Sequence, residues 1–107
     1  MQISEIAYKN LIDFLVAFWG NDLTTAEIEP LLRSHYDLRP MVHNEVIASA
    51  KILLAGSAHD VDLLDAITWE VNRVLDPCTT DGARAWLAEA LKLMETAALP
   101  FTIERPN

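Results

Sequence analysis

Three histidines, one cysteine and a cluster of aspartates are the residues from which chemistry could be built, and their spacing builds little of it. His35, His43 and His59 share no i, i+4 spacing, and Cys78 has no Cys or His at a zinc-like interval, so no metal site is expected. Asp60, Asp62 and Asp65 form the densest carboxylate group. A helix beginning there accounts for two of them, with Asp60 as N-cap and Asp62 in the first turn, where the helix dipole favours acids. No Ser or Cys stands in a nucleophile elbow, and Gly20, Gly56 and Gly82 are spread as punctuation rather than gathered into a phosphate cradle. A His and a carboxylate that meet only in space would escape this reading. The residues themselves point away from catalysis and from any cofactor, and toward binding.

Charge narrows the class of partner. Eight Lys and Arg against sixteen Asp and Glu give a formal net charge of −8. From Asn10 to Leu32 there are four acids (Asp13, Asp22, Glu27, Glu29) and no Lys or Arg; from Ile52 to Asn72 there are again four (Asp60, Asp62, Asp65, Glu70) and no base. Such a field repels phosphate backbones, which argues against direct nucleic-acid binding, and steers a basic protein inward. Solubility alone is the plainer explanation of the same charge. Cys78 cannot form an internal disulfide, and neither a signal peptide nor an apolar run of about 18 residues is present, so a soluble cytoplasmic protein without a membrane segment is expected.

The 107 residues suit one helical domain, with an ordered core over about 4–97 and a tail over 98–107. Ser4 is a competent N-cap for a first helix that runs to Trp19 and ends at Gly20 and Asn21. Its apolar residues, from Ile6 and Ala7 to Phe18 and Trp19, are wider than one stripe. Thr24 and Glu27 have the spacing of a capping box for a second helix. Pro30 either kinks that helix or restarts it, with Leu31, Leu32 and Tyr36 as the apolar edge. Pro40 opens a third helix closed by Gly56, with Val42, Val46, Ile47, Ala50, Leu53 and Leu54 toward the core. The short loop that follows makes the third and fourth helices antiparallel neighbours. After Pro77, Thr80 or Asp81 caps a fifth helix that buries Ala83, Trp86, Leu87, Ala90, Leu91 and Met94 and turns Arg84, Glu89, Lys92 and Glu95 to water. Leu99, Phe101 and Ile103 alternate in the tail as an extended strap would. The fold class is therefore all-α: a compact bundle of about five helices with a short extended C-terminal tail.

The fourth helix carries the unexpected surface. Read as a continuous helix over Asp60–Leu75, it places Val61, Leu63, Leu64, Ile67, Thr68, Val71, Val74 and Leu75 on one core-facing arc. The opposite arc holds Asp62, Asp65, Glu70, Asn72, Arg73 and Asp76, and Trp69 projects from its middle. Either another element covers this indole, making the helix central, or a partner does, since Trp is enriched among interface anchors.

Three pieces of the chain carry a family resemblance. Leu11, Phe14 and Leu15 lead to Phe18-Trp19-Gly20-Asn21-Asp22; Glu45 to Leu54 lead through a short loop to Asp62-Leu63-Leu64; and Asp81-Gly82-Ala83-Arg84-Ala85-Trp86-Leu87 open the last helix. In this order they resemble the all-helical immunity proteins of contact-dependent growth inhibition systems, small cytoplasmic proteins that neutralise a toxin domain delivered by neighbouring cells. The resemblance spans roughly Leu11 to Leu93. It implies a non-enzymatic toxin inhibitor, monomeric in a 1:1 complex, whose cognate partner is a basic nuclease domain, often one acting on tRNA. The residues expected at the partner interface are Asp62, Asp65, Trp69, Arg73 and Asp76, with Asp22 and Glu27 contributing. A helical adaptor that self-associates through Trp69 is the alternative.

Overall fold

A computed structural model describes residues 3–20, 23–56, 59–76 and 78–98. The described chain forms five α-helices: α1 (Glu5–Trp19), α2 (Thr25–Leu38), α3 (Pro40–Ala55), α4 (Asp60–Asp65) and α5 (Thr80–Ala98), with a π-helical turn, Ala66–Glu70, continuing α4. No strand occurs among the described residues, and none of the helices is long and apolar enough to cross a membrane. The tail with Leu99, Phe101 and Ile103 lies outside the described residues, as does Asp22.

Local chemistry sets most of the boundaries. The Ser4 hydroxyl accepts from the Ala7 amide at 3.1 Å and starts α1. At the other end the Gly20 amide donates to the Val16 carbonyl at 2.9 Å, and a Cβ on Gly20 would run into that carbonyl. Thr24 and Glu27 close a reciprocal capping box: Thr24 N–H donates to Glu27 Oε1 at 2.8 Å and Glu27 N–H to Thr24 Oγ1 at 3.3 Å. Pro30 neither ends α2 nor restarts it; the helix runs through it to Leu38. Pro40 is the first residue of α3, where its missing N–H leaves nothing unsatisfied. Thr79, rather than Thr80 or Asp81, caps α5, its hydroxyl accepting from the Gly82 amide at 3.1 Å.

The central element is α5, not the stretch over Asp60–Leu75. Ala83, Leu87, Ala90, Met94 and Ala97 recur at alternating steps of four and three along it, all buried, and α2, α3 and α4 all pack against it. The third and fourth helices make no substantial contact with each other among the described residues, because α5 takes the place expected of each as the other's neighbour. Leu11, Leu15, Ile28, Leu32, Leu63 and Ile67 complete the fully enclosed centre. Ile28 takes the role expected of Leu31, which is exposed; on α3, Val42 is also exposed. Trp19 and Trp86 meet edge to face at 5.9 Å, tying α1 to α5.

One polar side chain sits deep in this core. His43 is fully buried, on the same arc of α3 as Val46, Ile47, Ala50 and Leu53, and its Nε2 lies 2.9 Å from the Met94 carbonyl. A carbonyl only accepts, so Nε2 carries the proton, and the neutral ring then offers a bare Nδ1. His35 Nδ1, 3.3 Å away, must be the donor to it. Phe14, Phe18 and Tyr36 pack on the pair edge to face. Burial, then His43, then Arg39 hold the His35 imidazole below its ordinary pKa of 6.5.

Candidate functional site: an acidic pocket beside Trp69

The expected continuous helix over Asp60–Leu75 breaks at Glu70. Val71 N–H reaches back to the Ala66 carbonyl at 2.9 Å, a π-type bond, and Arg73 N–H to the Ile67 carbonyl at 3.0 Å. Asn72 then takes a left-handed conformation, φ 61°, which a short amide side chain tolerates and which no helix continues through. Val71 and Leu75 still reach the core, but Val74, assigned to the same arc, is 97 % exposed because the chain past Glu70 is no longer helical. Val61, assigned to it as well, is exposed on the first turn. Inserted π turns occur often at functional positions.

The start of this element is fixed from α5. The Arg84 guanidinium donates to the Gly56 carbonyl at 2.6 Å, to Asp60 Oδ1 at 2.7 Å and to the Leu54 carbonyl. It therefore satisfies carbonyls at the end of α3 and holds the first residue of α4, instead of facing water as its position in the sequence suggested. Asp60 is thereby an ion-pair partner inside the first turn and not the N-cap, which is His59.

With α4 anchored in this way, Asp62, Asp65 and Trp69, at steps of three and four, and Ala66 and Glu70, four apart beside them, line one side of a pocket of about 440 Å³ that Tyr8 of α1 also lines. Trp69 is 78 % exposed, so no described element covers it. No Lys or Arg is among the described residues that line the pocket. The phenol of Tyr8 registers the resulting field: its pKa is pushed up to about 12, first by burial and then by Asp62, Glu70 and Asp65, each of which opposes a phenolate. His59 stacks on Tyr8 with ring centres 5.5 Å apart and approaches Asp62 at 3.4 Å. That contact is long and its carboxylate is open to solvent. Among the described residues no group of three or more His, Cys, Asp or Glu is arranged to hold a metal ion. An acidic concavity with an aromatic wall suits a cationic side chain, by charge attraction and by a cation over the indole face.

Of the residues expected at an interface, the structure brings together Asp62, Asp65 and Trp69 and adds Tyr8 and Glu70. Glu70 was legible from its place on the polar arc. Tyr8 was not, because only tertiary packing carries α1 to this helix. Arg73 and Asp76 lie beyond the π turn in the non-helical segment and do not line the pocket; Arg73 is half-buried, with its Nε unpaired. Glu27 is engaged in the α2 capping box, away from the pocket lining. Compared with known protein families, curated proteins and solved structures, the chain matches none.

Proposed function

We propose that this protein is a non-catalytic inhibitor that docks a basic protein domain through the acidic surface around Trp69. The observation that carries the reading is a largely exposed indole walled by three carboxylates, with no Lys or Arg among the described residues that line the pocket. Exposed tryptophans in such surroundings act as interface anchors, and a one-signed field raises the association rate of an oppositely charged partner. The resemblance to immunity proteins of contact-dependent growth inhibition gives the partner a name: the C-terminal toxin domain of the effector, a nuclease whose basic RNA-binding cleft this acidic face covers in the cytoplasm. Self-association through the same surface is disfavoured by charge, since a two-fold contact sets Asp62, Asp65 and Glu70 against their own copies.

The test is to co-express the chain with the C-terminal domain encoded by the gene immediately upstream. Rescue of growth and a stoichiometric complex are expected. A toxic upstream domain that is neither bound nor neutralised would discard the immunity reading.

A further inference from the structure

A second concavity lies on the other side of α1. It is a groove of about 690 Å³ between α1 and α3, floored by Ala7, Phe14 and Val46 and edged by Ile6 and Val42. Ile6 is 74 % exposed, and Val42 is exposed beside the buried His43 and Val46. Among the described residues, the charged ones that line the groove are Asp13 and Glu45, with no Lys or Arg. Lys9 pairs with Asp13 at 3.1 Å, and Glu45 has no partner among the described residues. The groove and the Trp69 pocket share no lining residue but each shares residues with a third depression. Ser4 lines both the groove and a shallow depression over Tyr8, His59 and Asp62, and Tyr8 and Asp62 in turn line the Trp69 pocket.

From these observations we infer that the α1–α3 groove seats an amphipathic helix of the basic partner, its apolar side on Ile6, Phe14, Val42 and Val46 and a Lys or Arg beside Glu45. This rests on the docking reading above for the identity of the partner, though not for the groove's ability to bind such a helix. Dimensions agree. From Ile6 to Phe14 on one wall and Val42 to Ser49 on the other, the lining runs roughly 10–12 Å at the helical rise, the span of anchors at i, i+3 or i+4, and i+7 on an incoming helix. Charge selects the kind of helix: Asp13 is already paired with Lys9, so an acidic helix, including any from a second copy of this chain, would bring its carboxylates against the unpaired Glu45.

A synthetic peptide of about 15 residues, long enough to hold a helix, with Leu at those anchor positions and Lys elsewhere, is the probe, and its twin replaces Lys with Glu. Fluorescence anisotropy and amide chemical-shift mapping against the whole protein give affinity and position. The Lys peptide should bind with shifts centred on α1 and α3, at least about tenfold tighter than the Glu peptide. Binding should fall about tenfold in the double variant Ile6→Asp, Val42→Asp, whose exposed sites leave the fold intact by circular dichroism, and change less than twofold in Trp69→Ala. Equal binding of the two peptides, absence of binding, or shifts confined to the Trp69 pocket with loss in Trp69→Ala would each overturn the groove. So would a dimer of the protein alone that Ile6→Asp, Val42→Asp dissociates, since a second copy would then be the occupant. A toxin domain that fails to bind the protein, beside a Lys peptide that maps to the groove, removes the immunity reading and leaves the groove.

Discussion

Replacing Arg84 with Ala tests whether the Trp69 element is held in place from α5. Its guanidinium makes contacts of 2.6 Å to Gly56, 2.7 Å to Asp60 and a third to Leu54, with side chains of Arg84 and Asp60 only 28 % and 22 % exposed. Hydrogen bonds to charged groups contribute about 1.5–3 kcal/mol each when mostly shielded, but they are not additive, and freed carbonyls at a helix end recover water. A net loss of about 2–4 kcal/mol follows, a large fraction of the 5–15 kcal/mol that holds a domain of this size. Urea unfolding followed at 222 nm measures it. Arg84→Lys should restore less than half, because one ammonium cannot reach three acceptors as a planar fork does. A loss below about 0.5 kcal/mol, the range of an ordinary surface substitution, would refute the clamp and return Arg84 to the solvent-facing role its sequence position suggests.

Titration of the phenols at 295 nm should show one group ionising near pH 12, and Asp62→Asn with Asp65→Asn should lower it, because both carboxylates oppose the Tyr8 phenolate; an unmoved titration would remove the pocket's negative field. The His35 imidazole, held below 6.5 in the folded chain, takes up protons more readily when unfolded. Stability should therefore be level above about pH 6.5, decline as pH falls below it and level again under the folded pKa, and His35→Phe should flatten that decline in urea titrations at pH 7.5 and 5. Thr24→Ala should destabilise by about 1 kcal/mol through loss of the α2 cap, measurable as a lower urea midpoint at unchanged slope.

How much was legible depended on whether a residue's partner lies nearby in the chain. Ser4, the Thr24 and Glu27 pair, Pro40 and Gly56 act within a few residues of themselves, and each marks the helix end its chemistry implies. Arg84 was misplaced because its acceptors are carbonyls 28 and 30 residues away, which leave no trace in composition. His43 could have been found: it falls on the apolar arc of α3, and a polar residue there signals a buried hydrogen bond such as the one to Met94. The arc drawn over Asp60–Leu75 assumed one uninterrupted helical period. Past the π turn and the left-handed Asn72 that period no longer applies, which is why Val74 left the core and Arg73 and Asp76 left the acidic face. Asp62, Asp65 and Trp69 precede or lie within the π turn, where the period still places them together. Of the two alternatives at Pro30 the restart falls away, since a helix packed on three neighbours tolerates one missing hydrogen bond.

The most direct measurement is the affinity of the neutralised toxin domain for the wild-type chain and for Trp69→Ala, by calorimetry at two salt concentrations. A loss of about 2 kcal/mol or more, roughly 30-fold in Kd, with wild-type binding weakened by salt, is the predicted result. A Kd within twofold of wild type, in a variant whose fold is intact, would contradict the assignment of the acidic Trp69 surface as the docking face.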